Sequence, residues 1–285
     1  MVEDDIISQI KKCVTFIYDP ADKERKYPIG TGFWILVKKE KAPESVGYFV
    51  TAKHVILDQN GEFLPEFVLR LNLLDGQITY QTLKIDSSKI LTHVDKDIDI
   101  AVYPSIPDPK IVEFKGIPSD LINTKEAVKD VGIREGDEVF FAGLFTSFFG
   151  VKKNHPIFRF GKVALMTDEK IEWREENKPP ISINLYLVEC QSFGGNSGSP
   201  VFFNLSPIRQ PGVISVGGPK ISLAGIVKGS FLSSREVVKI TKTDELKLIS
   251  QENVGISAVT PAYQLHEILF RDDVVKLRND NQKSD

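Results

Sequence analysis

Two cysteines in 285 residues, Cys13 and Cys190, exclude a disulfide framework and leave room for one bridge at most. Each sits in an apolar, strand-like run and reads as a buried, reduced packing residue. Nothing around Cys190 resembles an activating base or a helix N-terminus, so it is not read as a nucleophile. Excess charge is also missing: 36 basic and 39 acidic residues give a net charge of −3, with no general attraction to nucleic acid. No apolar run approaches the roughly 20 residues that span a bilayer. The early acids of Met1-Val2-Glu3-Asp4-Asp5 do not make a secretory signal, so a cytoplasmic protein without membrane or nucleic-acid partners is expected. Metal-ligand spacings and phosphate-binding glycine loops are absent, so neither cofactor nor metal is expected.

What the chain does hold is Gly194-Gly195-Asn196-Ser197-Gly198-Ser199-Pro200, a serine among residues too small to shield it. Glycine opens backbone conformations closed to other residues, so the amides of Gly195 and Ser197 can turn toward one point beside the Ser197 hydroxyl. Two such donors form an oxyanion site for acyl transfer. A serine of this kind needs a base, and the base needs an orienting acid.

Histidine occurs only four times. His93 and His155 lie in polar surroundings and His266 in a predicted C-terminal helix. His54, in Thr51-Ala52-Lys53-His54-Val55, follows the β-prone run Gly47-Tyr48-Phe49-Val50, which delivers it to a strand end. In Asp95-Lys96-Asp97-Ile98-Asp99-Ile100-Ala101-Val102, Asp99 adjoins the apolar strand and is the acid drawn into a dry site, with Asp97 second. A rival order of Ser197, Asp244 and His266 would need a helix directly after the serine. Pro200-Val201-Phe202-Phe203 reads as a strand instead.

Short strands are predicted over Cys13–Tyr18, Gly32–Val37, Tyr48–Thr51, Glu66–Leu73, Gln77–Lys84 and Asp99–Tyr103. A second set covers Glu138–Leu144, Ile157–Thr167, Ile181–Glu189, Ser199–Phe203, Leu223–Phe231, Val237–Thr241 and Asn253–Val259. Regular spacing with turn signals between them argues for a closed or sandwiched antiparallel architecture. A short amphipathic helix is expected over Glu3–Lys12. Another is expected over Ala262–Leu277, with Thr260 as N-cap and Pro261 in the first turn. Two segments, Leu205–Ser222 and Leu232–Glu252, read as insertions serving as a lid, a partner site or plain hairpins.

Together the three segments resemble trypsin-like serine peptidases of the chymotrypsin fold, closest to the bacterial HtrA-like branch but without its PDZ domain. Thr51-Ala52-Lys53-His54-Val55, Asp99-Ile100-Ala101-Val102 and Gly195-Asn196-Ser197-Gly198-Ser199-Pro200 carry the likeness, in the order His, Asp, Ser. It implies an all-β fold of two six-stranded antiparallel β-barrels, with the active site between them and short helices at both ends. The first barrel would span residues 1–104, a connection 105–133, the second barrel with its helix 134–277, and a polar tail 278–285. It implies a serine endopeptidase acting on protein or peptide, with His54, Asp99 and Ser197 catalytic and Gly195 and Ser197 forming the oxyanion hole. The primary pocket would be floored by Gln191, itself also readable as a surface loop residue, and walled by Val227, Lys228 and Gly229. Lys228 would then bias the site toward acidic residues. Asn196 replaces the aspartate of zymogen-activated members, which puts activation by a freed N-terminus in doubt. The alternatives are a non-catalytic or latent binding module on the same fold, or a protease switched on by a regulatory protein partner.

Overall fold

The computed structural model describes residues 5–39, 44–175, 179–206, 220–240 and 245–280. Its first element, α1 (Ile6–Cys13), begins at Asp5, whose carboxylate accepts the Ser8 N–H at 2.7 Å. That bond satisfies one of the donors a helix leaves unpaired at its start. Ile10 and Cys13 face inward, so the helix runs one residue beyond the predicted end and takes in Cys13, which was assigned to the following strand.

The first half then builds one eight-stranded sheet. Its strands are β1 (Val14–Tyr18), β2 (Pro28–Lys38), β3 (Ser45–Thr51), β4 (Glu66–Asn72), β5 (Ile78–Lys84), β6 (Leu91–Thr92), β7 (Ala101–Pro104) and β8 (Ile117–Pro118). The order is β5-β4-β1-β2-β3-β7-β6, with β8 joining β2 in parallel. The end strands are a largely exposed β5 and a two-residue β6, neither of which offers a long buried register to its opposite edge. β7 starts at Ala101, later than predicted, which leaves Asp99 in the loop before it.

Between the halves the sequence reads as a plain connection, yet it contains α2 (Lys125–Val131). Thr124 accepts the Ala127 N–H at 3.2 Å, and Gly132 ends the helix at φ 66°, so both caps are present. The second half contains β9 (Glu138–Gly143), β10 (Ile157–Met166), β11 (Ile171–Trp173), β12 (Ile181–Ile183), β13 (Tyr186–Glu189), β14 (Pro200–Leu205), β15 (Lys220–Ile240) and β16 (Glu245–Pro261). Six of these close a barrel in the order β10-β13-β16-β15-β14-β9, which removes free edges. β11 and β12 pair separately as a hairpin. The insertion over Leu232–Glu252 is the continuation of β15 and β16, paired as far as Ile240 and Glu245. Of the other insertion, residues 207–219 lie outside the described residues.

The C-terminal helix is two helices, α3 (Ala262–Leu269) and α4 (Asp272–Asp280). Pro261, not Thr260, stands at the N-cap, and no side chain caps it, because Thr260 is held in the β16 ladder opposite Ile226. The polar tail begins later than predicted: Arg278 is buried and donates to the Leu269 carbonyl at 3.1 Å.

One core cluster serves both halves. Phe16, Phe33, Val50 and Val102 from the first sheet pack with Phe140, Phe202, Ile226 and Leu265 from the second half. Each such side chain contributes about 1.5–3 kcal/mol on burial. Arg70 of β4 adds a polar tie. Its guanidinium is fully buried, donates to the carbonyls of Gly150 at 2.7 Å and Val151 at 3.1 Å and to Asn154 Oδ1 at 2.6 Å, and lies over the Phe149 ring. Both cysteines are free and buried, and burial pushes the Cys13 thiol up to about 12.

Candidate active site

His54 sits in a single 3₁₀ turn, Lys53–Ile56, that follows β3 directly. The turn hangs from buried Thr51 and Ala52, and Val55 and Ile56 anchor its far side in the core of the first sheet. Asp99 faces it from the loop before β7, held between buried Ile98 and Ile100. His54 Nδ1 donates to Asp99 Oδ2 at 2.6 Å, and the His54 backbone N–H donates to Asp99 Oδ1 at 2.9 Å. The imidazole is 35% exposed and the carboxylate 4%, so the base is open to a cleft while the acid is dry. Burial alone would push the Asp99 carboxyl up. The charges of His54 and Lys228, with the two His54 hydrogen bonds, outweigh it and hold the group far below the ordinary carboxylate range. Asp97 lies on the same loop, exposed, with its N–H donating to Asp95 Oδ1 at 3.0 Å.

Ser197 occupies a turn whose backbone only glycine permits at two places. Gly195 has φ 90° and Gly198 φ 87°. A Cβ on Gly198 would run into the Thr31 carbonyl and the Thr51 hydroxyl, so the turn lies flat against β2 and β3, next to the His54 turn. Asn196 stitches the turn from inside: its side chain accepts the Phe193 N–H at 2.8 Å and donates to the Leu144 carbonyl. Thr31 stitches it from β2, donating its N–H to the Ser197 carbonyl at 3.0 Å and its hydroxyl to the Gly195 carbonyl at 2.8 Å. Replacing Asn196 by alanine removes both of its bonds at once. It is expected to cost about 1–3 kcal/mol of stability in urea denaturation, and to slow covalent labelling of Ser197 without abolishing it.

Neither the Gly195 nor the Ser197 N–H meets an acceptor among the described residues, which leaves both donors available to a bound oxygen. The Ser197 hydroxyl does not bond to His54; it donates to the Lys228 carbonyl at 3.2 Å. Gly198 N–H donates to the Val227 carbonyl and Val227 N–H to the Ser199 carbonyl, both at 2.9 Å, so β15 runs beside the turn.

The residues assigned to a substrate pocket scatter. Gln191 is exposed, Val227 is fully buried in the barrel core, and the Lys228 side chain turns away to the acid. The Lys228 ammonium meets Asp99 Oδ2 at 3.0 Å and Glu175 Oε1 at 3.2 Å. A bias toward acidic substrates through that charge is therefore set aside: two carboxylates already neutralise it. Near Gly229 the structure gathers hydroxyls instead, with Ser192 Oγ 2.7 Å from Ser230 Oγ and accepting from Ser257 Oγ at 2.8 Å. Beside His54 a cavity of about 190 Å³ opens between Leu57, Asp97, Trp173, Glu175, Pro179 and Ile181.

Sequence reasoning missed Thr31, Glu175 and the direction of the Lys228 side chain. Thr31 carried a signal, since glycines flank it on both sides; Gly32 has no room for a Cβ under the Phe49 ring. Glu175 carried none.

No family model and no curated protein matches this chain. Among solved structures, the active form of the Rv3671c protease from M. tuberculosis aligns over 94% of this chain and 84% of its own, at 14% identity and a TM-score of 0.49. An inactive form of that protease aligns over 94% and 92%, at 15% identity and a TM-score of 0.45. The Grass clip serine protease of the Drosophila Toll pathway aligns over 86% and 66%, at 17% identity and a TM-score of 0.41. These likenesses are slight, and the fold described above stands on the chain's own hydrogen-bonded sheets.

Proposed function

We propose that the protein is a serine endopeptidase, with Ser197 as nucleophile, His54 as general base and Asp99 as the acid that orients it. The observation that supports this most is the convergence at Lys228. Its carbonyl takes the Ser197 hydroxyl, its ammonium meets Asp99, and Asp99 holds His54, so three segments far apart in sequence share one place.

In this reading the Ser197 hydroxyl leaves the Lys228 carbonyl through a change of side-chain rotamer and takes His54 Nε2 as its partner. Ser197 Oγ then bonds the scissile carbonyl carbon as its proton passes to His54. The imidazolium gives that proton to the departing amine when the C–N bond breaks, and water repeats the cycle on the acyl-enzyme to release the acid. Asp99 fixes the tautomer and stabilises the imidazolium. The Gly195 and Ser197 N–H groups hold the oxyanion, a role worth about 3–4 kcal/mol of barrier per donor. Substrate adds as an extended strand beside Lys228–Ser230 of β15, beyond the point where Ile226 and Val227 pair with β14 and the Ser197 turn. With serine hydroxyls gathered near Gly229, the primary site favours uncharged side chains of small or medium size. In its motif pattern the chain resembles the HtrA-like branch more than the digestive enzymes. Among the described residues no helix is long and apolar enough to cross a membrane.

One observation favours a second reading. Ser197 donates to a main-chain carbonyl and not to His54, as in a latent form that waits for a protein partner. A fluorophosphonate probe separates the two. Labelling of the purified protein at Ser197, mapped by mass spectrometry and accompanied by peptide hydrolysis, is expected. A folded protein that stays unlabelled across neutral and mildly alkaline pH would remove the constitutive enzyme and leave the latent or binding form.

A further inference from the structure

A lysine buried to 4% exposure is costly unless its charge is matched. Lys228 is matched twice, by Asp99 at 3.0 Å and by Glu175 at 3.2 Å, and its ammonium also lies 5.3 Å from the centre of the Trp173 ring. Asp99 Oδ2 is the same atom that His54 Nδ1 reaches at 2.6 Å. One carboxylate oxygen therefore serves both an imidazole and an ammonium, and the ammonium draws on the charge that an imidazolium needs. With His54 neutral, Asp99 and Lys228 already cancel, and a proton arriving on His54 would leave a net positive charge in a dry place. Glu175 changes that balance. With it included, the four groups carry one net negative charge before the proton arrives and none afterwards.

We propose that Glu175 and Lys228 are a positioning pair for His54: the Glu175 carboxylate engages the Lys228 ammonium and so returns the charge of Asp99 to the imidazole. The pair is built into the fold from two elements. Lys228 comes from β15 of the barrel, and Glu175 from the chain leaving β11, where the Trp173 indole N–H donates to Glu175 Oε1 at 3.1 Å. Glu175 is 29% exposed and lines the cavity beside His54, so it acts from the rim on a lysine that is itself sealed. The inference rests on His54 being the base.

Other charges face the same place. Lys53 lies on the His54 turn, with its ammonium donating to the Lys96 carbonyl. Asp95, Lys96 and Asp97 stand on the loop before β7, and Lys170 reaches Asp95 at 4.0 Å. All of these remain in every variant below, so their fields drop out of the comparison.

The test is the titration of the His54 imidazole by ¹⁵N NMR in the full chain, compared across the parent, Glu175→Gln, Lys228→Met and the double variant. Glu175→Gln is expected to lower the His54 midpoint by about one pH unit, and Lys228→Met to raise it by about as much. The double variant is expected to return close to the parent. The acid limb of the fluorophosphonate labelling rate should move with the midpoints. An unmoved or raised midpoint in Glu175→Gln overturns the pair. Where Lys228→Met fails to fold, Glu175→Gln decides alone, because it keeps its shape at a partly exposed position. A parent that never labels at Ser197 sinks the peptidase reading, while the NMR titration still judges the pair. Normal labelling with a Glu175-independent titration sinks the pair and spares the peptidase.

Discussion

Ser197→Ala and His54→Ala are each expected to reduce turnover on the order of 10⁶-fold, and the double variant to lose no more than either alone. The two side chains act as one unit in a single proton transfer, so removing either removes the step. What survives is the rate supplied by binding and by the two backbone donors at Gly195 and Ser197. Neither change should unfold the protein. Ser197 gives up one hydrogen bond to a carbonyl, worth about 1 kcal/mol. In His54→Ala the Asp99 carboxylate keeps the His54 backbone N–H and the Lys228 ammonium. Initial rates on a quenched peptide, with far-UV dichroism as a folding control, check both statements. A Ser197→Ala protein that cleaves at the parent rate would end the argument.

The parts of this molecule that sequence discloses are those encoded by neighbours. The β-prone run before His54 ends in the turn that carries it, and the small residues around Ser197 make the turn that needs φ 90° and 87°. Strand positions follow from alternation and turn residues in the same way, and the second half closes its barrel with them. Local signals were also passed over: Thr124 and Gly132 mark both ends of α2 in a stretch read as mere connection. Other features lie beyond any local pattern. Lys228 and Asp99 are 129 residues apart, and Lys228 and Glu175 are 53 apart. A lysine next to glycine in a strand reads as a rim charge until the opposite wall is known. Arg70 is similar: an arginine at a strand centre suggests an exposed face, yet the Gly150–Asn154 segment folds over it and supplies its acceptors.

That long-range charge network gives the second large effect. Asp99→Asn preserves shape and is expected to lower turnover about 10⁴-fold, because an amide no longer selects the imidazole tautomer or stabilises the imidazolium. It should also destabilise the protein by about 3 kcal/mol at neutral pH, since a buried ammonium loses one of its two carboxylates. Glu175 keeps the other contact, which holds the loss to the lower end of what a broken buried pair costs. The pH dependence separates the two causes. The folded state holds the Asp99 carboxyl far below its unfolded value, so its contribution is present above the unfolded value of about 4 and is lost as pH falls from there. The parent should therefore weaken relative to Asp99→Asn in acid, and the gap between them should close. Adding Lys228→Met to Asp99→Asn takes away the stranded charge and should recover most of the stability at neutral pH, with none of the turnover. Urea denaturation at neutral and acid pH, alongside turnover of the same three proteins, reads both quantities. If Asp99→Asn proved as stable and as active as the parent, the buried acid would be neither the partner of Lys228 nor the support of His54.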